Sequence, residues 1–485
     1  METLTSCNVA SIVPYVPTSE NPWDLAKARH LYRRLGFGAT DATINIALNT
    51  TPQNAVDMLI DEAIALPNST TPEWAFWSAS NYTDYQNQAN EQTSEIYLQV
   101  ARDIRSQGLK NRLSFFWSNH FVTQKEVYFH PPYTYQYWNV LQTYALGNFR
   151  DFVRTIGTNP AMLIYLNGFE NTNVSPNENY ARELYELFTL GQDNGYTQID
   201  IEQTAKALTG YNHWNDPGGA IFFDESTFDP SDKLIFGQEG NWGYDDVIDI
   251  LFAQRAPQIA THICTKLYAF FISRDLNESI INTMATTLLD NDFELAPVYR
   301  QLFKSEHFFD LDANGHVIKS PFDLTSIYLN ETNFQFDDSE NAVTDLILYG
   351  NSILGQALFD PVDVAGWQRD RDWINSSTIT GRWLIMEYVS WQVWNYDQEQ
   401  FRELAITLSG NSNDPAFITE QVVNFFVSRA LFTPMDYEIA TGILRWEVPD
   451  NYYDDGLWNL SWDSAPYQVL LLIFHIFRMP EFQLK

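Results

Sequence analysis

Apolar residues recur along this chain mostly at the spacing of a helix. From Asn54 to Ala65 the sequence NAVDMLIDEAIA sets Val56, Leu59, Ile60 and Ile64 on one stripe, the pattern of a half-buried helix. The same period predicts helices near residues 93–107, 134–146, 159–167, 177–191, 198–209, 245–253, 256–272, 294–304, 340–349, 417–430 and 463–478. Asn159-Pro160 supplies an N-cap with proline in the first helical position, Pro176-Asn177-Glu178 opens the next helix with acid in its first turn, and Gly191 stops it. Strand-like material is scarce. Ile221-Phe222-Phe223 and Leu234-Ile235-Phe236 predict one small hairpin at most. The stretches 212–245 and 360–377 read as long loops rich in Trp, Asp, Gly and Pro, of the kind that often carries function.

Composition changes this picture in two ways. Of 485 residues 45% are hydrophobic and 15% aromatic, far too many for a disordered chain. No low-complexity run or Ser/Gly linker divides them, so the expectation is mainly α: a single large multi-helix body with room for two lobes, residues 1–22 forming an N-terminal extension and 23–485 one continuous domain. Charge narrows the partners. With 28 Lys and Arg against 62 Asp and Glu the net charge is −34, which argues against nucleic acid and against anionic lipid. Charged residues total only 19%, so the imbalance is a shortage of cations, not an acidic tail. Cys7 and Cys264 make neither a disulfide framework nor a zinc motif. No apolar run reaches the ~20 residues of a membrane span. Leu4-Thr5-Ser6-Cys7 has the form of a lipoprotein cleavage box, yet no signal segment precedes it, and as written the chain reads as cytoplasmic.

Candidate chemistry concentrates in Pro176 to Gly191. At about 100° per residue, Glu178, Arg182 and Glu186 share an arc of about 80°, which Asn179 and Glu183 widen to about 140°. Carboxylates on one arc with an Arg among them suit a buried ion-pair network or oxygen ligands for a divalent cation. His120, among the aromatics of Phe115 to Phe121, is the candidate metal partner, and Glu178 and Glu183 the candidate carboxylate ligands; a core histidine with one satisfied hydrogen bond is the plainer reading. His213 follows a helix directly and is placed to reach the same pocket. Asp310-Leu311-Asp312-Ala313-Asn314-Gly315 matches half of a calcium loop but has Pro321 at the twelfth position, so it reads as a turn. Asp245-Asp246-Val247-Ile248-Asp249 is better explained as an acidic first turn than as a diphosphate site. Leu35 to Thr40 contains a GxG that follows a helix and reads as a stop, a turn and a Thr N-cap.

Several segments together resemble one family, the bacterial family catalogued as domain of unknown function eighteen hundred. They are His30 to Gly38, Phe116 to Phe121, Asn177 to Gly191 (NENYARELYELFTLG), Tyr196-Thr197 with Ala207 to Gly210, Lys233 to Gly237, Lys319-Ser320-Pro321, Val364 to Trp367 with Trp373-Ile374-Asn375, and Pro480-Glu481-Phe482. The resemblance implies a single, mostly helical unit and supplies no activity. It also implies a tendency to export and a role at the cell envelope or with extracellular polymers. Ser118 and Phe228 stand where the family commonly has His, which puts a metal site here in doubt.

The first functional expectation is an enzyme of hydrolase type acting on a polymer-derived or small polar substrate. In it Glu178, Glu183, Glu186 and His120 would share acid–base roles or bind a divalent ion, and Arg182 would orient an anionic group. His213, Trp214, Trp367 and Trp373 would bind a carbohydrate or another flat ligand. The alternative is a non-enzymatic binding or assembly protein with a protein partner in the envelope, whose Glu/Arg helix is a structural ion-pair network.

Overall fold

The computed structural model describes residues 11–106, 108–214, 218–310, 317–367 and 369–485. Cys7 and most of the turn at Asp310 to Gly315 lie outside them. The chain is mainly α, with twenty-two α-helices among the described residues. None is long and apolar enough to cross a membrane.

Local signals set many of the boundaries. The Asn159 side chain accepts from Ala161 N ahead of the Pro160–Tyr165 helix, and Thr40 caps Asp41–Leu48. The Pro52–Ala65 helix buries Ala55, Val56, Ile60 and Ala63, while Ile64 stays exposed, so its inner face is turned by about one position from the expected stripe. The runs 245–253 and 256–272 merge into Tyr244–Phe271, kinked at Arg255. Pro257 explains the kink, since it lacks an N–H and crowds the carbonyl one turn back. Asp245 and Asp249 lie in this helix's first turns and pair with Arg154.

The strand expectation needs correcting. Phe222–Phe223 pairs with Tyr211–Asn212, and Lys233–Ile235 pairs with Gln238–Gly240, giving two separate antiparallel pairs. Phe236 and Gly237 both have positive φ, which closes the second pair as a tight local hairpin.

Two hydrophobic cores organise the helices. One runs from Tyr15 to Phe322 and takes in Leu358, Phe359, Trp367 and Trp373; the other runs from Leu324 to Phe482. The Pro321–Thr332 helix joins them, giving Phe322 to the first and Leu324, Tyr328 and Leu329 to the second. Residues ahead of position 23 pack rather than trail: Tyr15 is buried, and Pro14 bridges to Ser305.

Candidate functional site

The seam between the cores gathers charge that water does not reach. Ser320 caps the Pro321–Thr332 helix, accepting from Asp323 N while Asp323 Oδ2 accepts from Ser320 N, a reciprocal box that fixes the carboxylate at the first turn. Arg112, from the Gly108–Ser118 helix, donates to Asp323 Oδ1 at 2.5 Å, and Lys485 Nζ donates to Oδ2 at 2.7 Å. Eight residues on from Asp323, Glu331 takes a two-pronged bond from Arg33 at 2.6 and 2.7 Å. All of these side chains are buried. Arg382 and Lys319 are buried nearby, Arg382 donating to Gln483 Oε1 and to the Lys319 carbonyl. Burial raises the Asp323 carboxyl, but the charges of Arg112 and Lys485 overcome it and hold the group well below the usual carboxylate range. Burial and Arg112 push the Lys485 ammonium down to about 7.

Against this seam opens a cavity of about 240 Å³. Phe115, Phe270, Trp367 and Trp373 give it aromatic walls. Trp367 stacks on Phe115 with ring centroids 4.8 Å apart, and its Nε1 donates to the Ala357 carbonyl. Gly366, at φ +96°, lets Asn119 Oδ1 reach Trp367 N at 2.6 Å; a Cβ there would collide with that amide. Among the described residues four cations line the cavity, Arg112, Arg274, Arg369 and Lys485, against two carboxylates, Asp323 and Asp370. Arg369 donates to the Asn119 carbonyl, and Arg274 only approaches Asp372 at 3.8 Å.

The Glu/Arg segment sits apart from these walls. Its helix runs from Asn179 to Glu183 and then widens into a π-helix over Leu184–Thr189, where Leu190 N bonds to Tyr185 O. Arg182 bonds Glu178 at 2.9 Å and Glu186 at 3.2 Å, and all three are partly exposed. Glu183 is half-buried, and burial followed by the charge of Glu186 raises its pKa.

His120 is buried beneath the π-helix. Its Nε2 lies 3.0 Å from the Phe188 carbonyl, which can only accept, so Nε2 carries the proton. Nδ1 then accepts from Lys266 Nζ at 3.1 Å, and Lys266 also donates to Leu187 O. Burial and Lys266 push His120 well below its ordinary value, and burial with Arg369 pushes Lys266 down to about 7. Among the described residues no three His, Cys, Asp or Glu side chains gather so as to hold a metal ion. His120, Glu178 and Glu183 are thus not brought together as a set: both nitrogens of His120 are hydrogen-bonded, and Glu178 is paired with Arg182.

The four expected ligand-binding residues separate into two pairs. Trp367 and Trp373 line the cavity; His213 and Trp214 do not. His213, at φ +75°, bonds Asp224 Oδ2 at 2.6 Å and stacks on Phe222, while Trp214 meets Phe169 edge-on. Bonds from Ser226 and His213 lower Asp224 to about 2. Sequence reasoning missed Arg112, Arg274, Asp323, Arg369 and Lys485. The one legible signal was the spacing of Ser320 and Asp323 about a first-turn proline, the form of a helix cap.

This is a mainly helical protein with two cores and a charged seam between them. The sequence model of the family described as "Protein of unknown function (DUF1800)" matches residues 30–484, and the chain belongs to that family. Neither a curated protein nor a solved structure matches the chain. Asn119, Ser320, Trp367 and Trp373, from four segments that carry the resemblance, all line the aromatic cavity.

Proposed function

We propose that the protein binds a small acidic molecule with a ring or flat portion in the cavity between Trp367, Trp373 and the charged seam. The observation that carries this reading is the excess of cations around an aromatic-walled space in a chain so poor in cations. Asp323 is already claimed on both oxygens by Arg112 and Lys485, which leaves Arg274 and Arg369 to meet an incoming anion. Aromatic faces suit the apolar side of a sugar ring, and a guanidinium suits its carboxylate. The hydrolase reading centred on Glu178 and Glu186 has less support, because both are spent on Arg182. A binding role with the Glu/Arg segment as an ion-pair brace accords better with that pairing.

The test is calorimetric titration with glucuronate, with glucose as the uncharged control. Binding of glucuronate but not glucose, weakened roughly tenfold in Arg274→Gln by loss of one charge-assisted contact, is expected. Equal binding of both sugars, equal binding by the variant, or no binding at all would overturn the reading.

A further inference from the structure

Lys485 also lines a second cavity, of about 360 Å³, whose chemistry differs from the first. Arg29, Arg33, Arg429 and Lys485 line it together with His30, Asn424 and Ser428, and no Asp or Glu is among its described lining residues. In a chain with more than twice as many acids as bases, such a wall does not arise from average composition.

The cations differ in what they have left to give. Arg33 is spent on Glu331, the Phe425 carbonyl and Ser428. Arg29 rests on the Phe425 ring at 4.4 Å and reaches Asp41 with one nitrogen at 3.3 Å. Burial and the charge of Arg33 make its protonated form less favourable than usual, so a further anion would relieve it. Arg429 makes no hydrogen bond or ion pair with the described residues. It is a half-buried guanidinium with its donors uncommitted, beside the Ser428 hydroxyl and the Asn424 amide.

We propose that this cavity is a binding site for a small, multiply charged tetrahedral oxyanion, such as a diphosphate or a phosphate ester, held by Arg429 and Arg29 with the Asn424 amide as a neutral donor, since the Ser428 hydroxyl already donates to the Leu484 carbonyl. Guanidinium forks match tetrahedral oxyanions in geometry and charge. The overall charge of −34 repels a long polyanion, so the ligand is a molecule small enough to enter the cavity. The proposal goes beyond the glucuronate reading and does not depend on it. The two cavities share only Lys485, and the deciding residues, Arg429 here and Arg274 there, belong to one each.

The experiment titrates the full chain with inorganic pyrophosphate and, separately, with acetate as a singly charged control, in wild type, Arg429→Gln and Arg274→Gln, each checked for native circular dichroism. Expected are binding of pyrophosphate well above acetate, a loss of roughly tenfold in Arg429→Gln from one charge-assisted contact, unchanged binding in Arg274→Gln, and weakening with added salt. Absence of pyrophosphate binding, equal binding in Arg429→Gln, or loss confined to Arg274→Gln would overturn the proposal. Failure of glucuronate to bind while pyrophosphate binds through Arg429 would strike only the earlier reading.

Discussion

Two ion-pair arrays in this molecule use the same groups to opposite ends. At Glu178–Arg182–Glu186 one guanidinium is shared between two carboxylates near the surface, with 36% of the Arg182 side chain still exposed. At Arg112–Asp323–Lys485 one carboxylate is shared between two cations, and none of the three exceeds 5% exposure. Water screens the first array and excuses any missing partner. The second has no water to fall back on, so each member depends on the others. Sequence patterning drew attention to the first because its residues are neighbours on one helix. The seam that joins the cores, and from which the aromatic-walled cavity opens, rests on the second.

The largest effect expected from breaking this contrast is in Asp323→Ala. Arg112 and Lys485 would be left buried without a counter-charge, and loss of a buried partner costs about 3–5 kcal/mol; urea unfolding of the purified chain measures it. Glu331→Gln keeps the shape but discharges the partner of Arg33, and should cost about 3 kcal/mol in the same assay. Acidification should separate wild type from Asp323→Asn. Asp323 is depressed in the folded state, so its contribution is full above the unfolded carboxylate value near ~3.9 and is lost as pH falls through the folded value. Wild type should therefore lose stability below about pH 4 more steeply than the variant, by at most about 1.4 kcal/mol per pH unit. The smallest effect belongs to Arg182→Ala, under about 1 kcal/mol and vanishing near ~1 M salt. A loss there as large as at Asp323 would erase the contrast.

How much could be read in advance follows the same division. Some helices with one wet face declare themselves by period, as Asn54 to Ala65 does, while others, such as Phe149–Gly157, were not predicted. The Gly108–Ser118 and Pro321–Thr332 helices were not predicted, because nearly every residue of each is buried and no polar stripe marks a period. These are the helices that carry Arg112, Asp323 and Glu331. Trp367 and Trp373 were legible from the character of their loop. Arg369 and Arg274 were not, since their meeting depends on contacts more than ninety positions apart along the chain. The pairing of His120 with the Phe188 carbonyl was likewise invisible, because a backbone oxygen leaves no mark in the sequence.

The π-helix over Leu184–Thr189 has one more consequence. It holds a single residue more than an ordinary helix would need to cover the same rise. That surplus presents the Leu187 and Phe188 carbonyls together, and Lys266, His262 and His120 converge on them. Excising one residue from this stretch would restore a regular spiral and swing everything after it by about 100°. Gly191 and the helix that follows would arrive at the wrong bearing, and three cationic or imidazole donors would lose their shared landing place. The extra residue works as a key cut into the chain, and length at this point is held as tightly as identity.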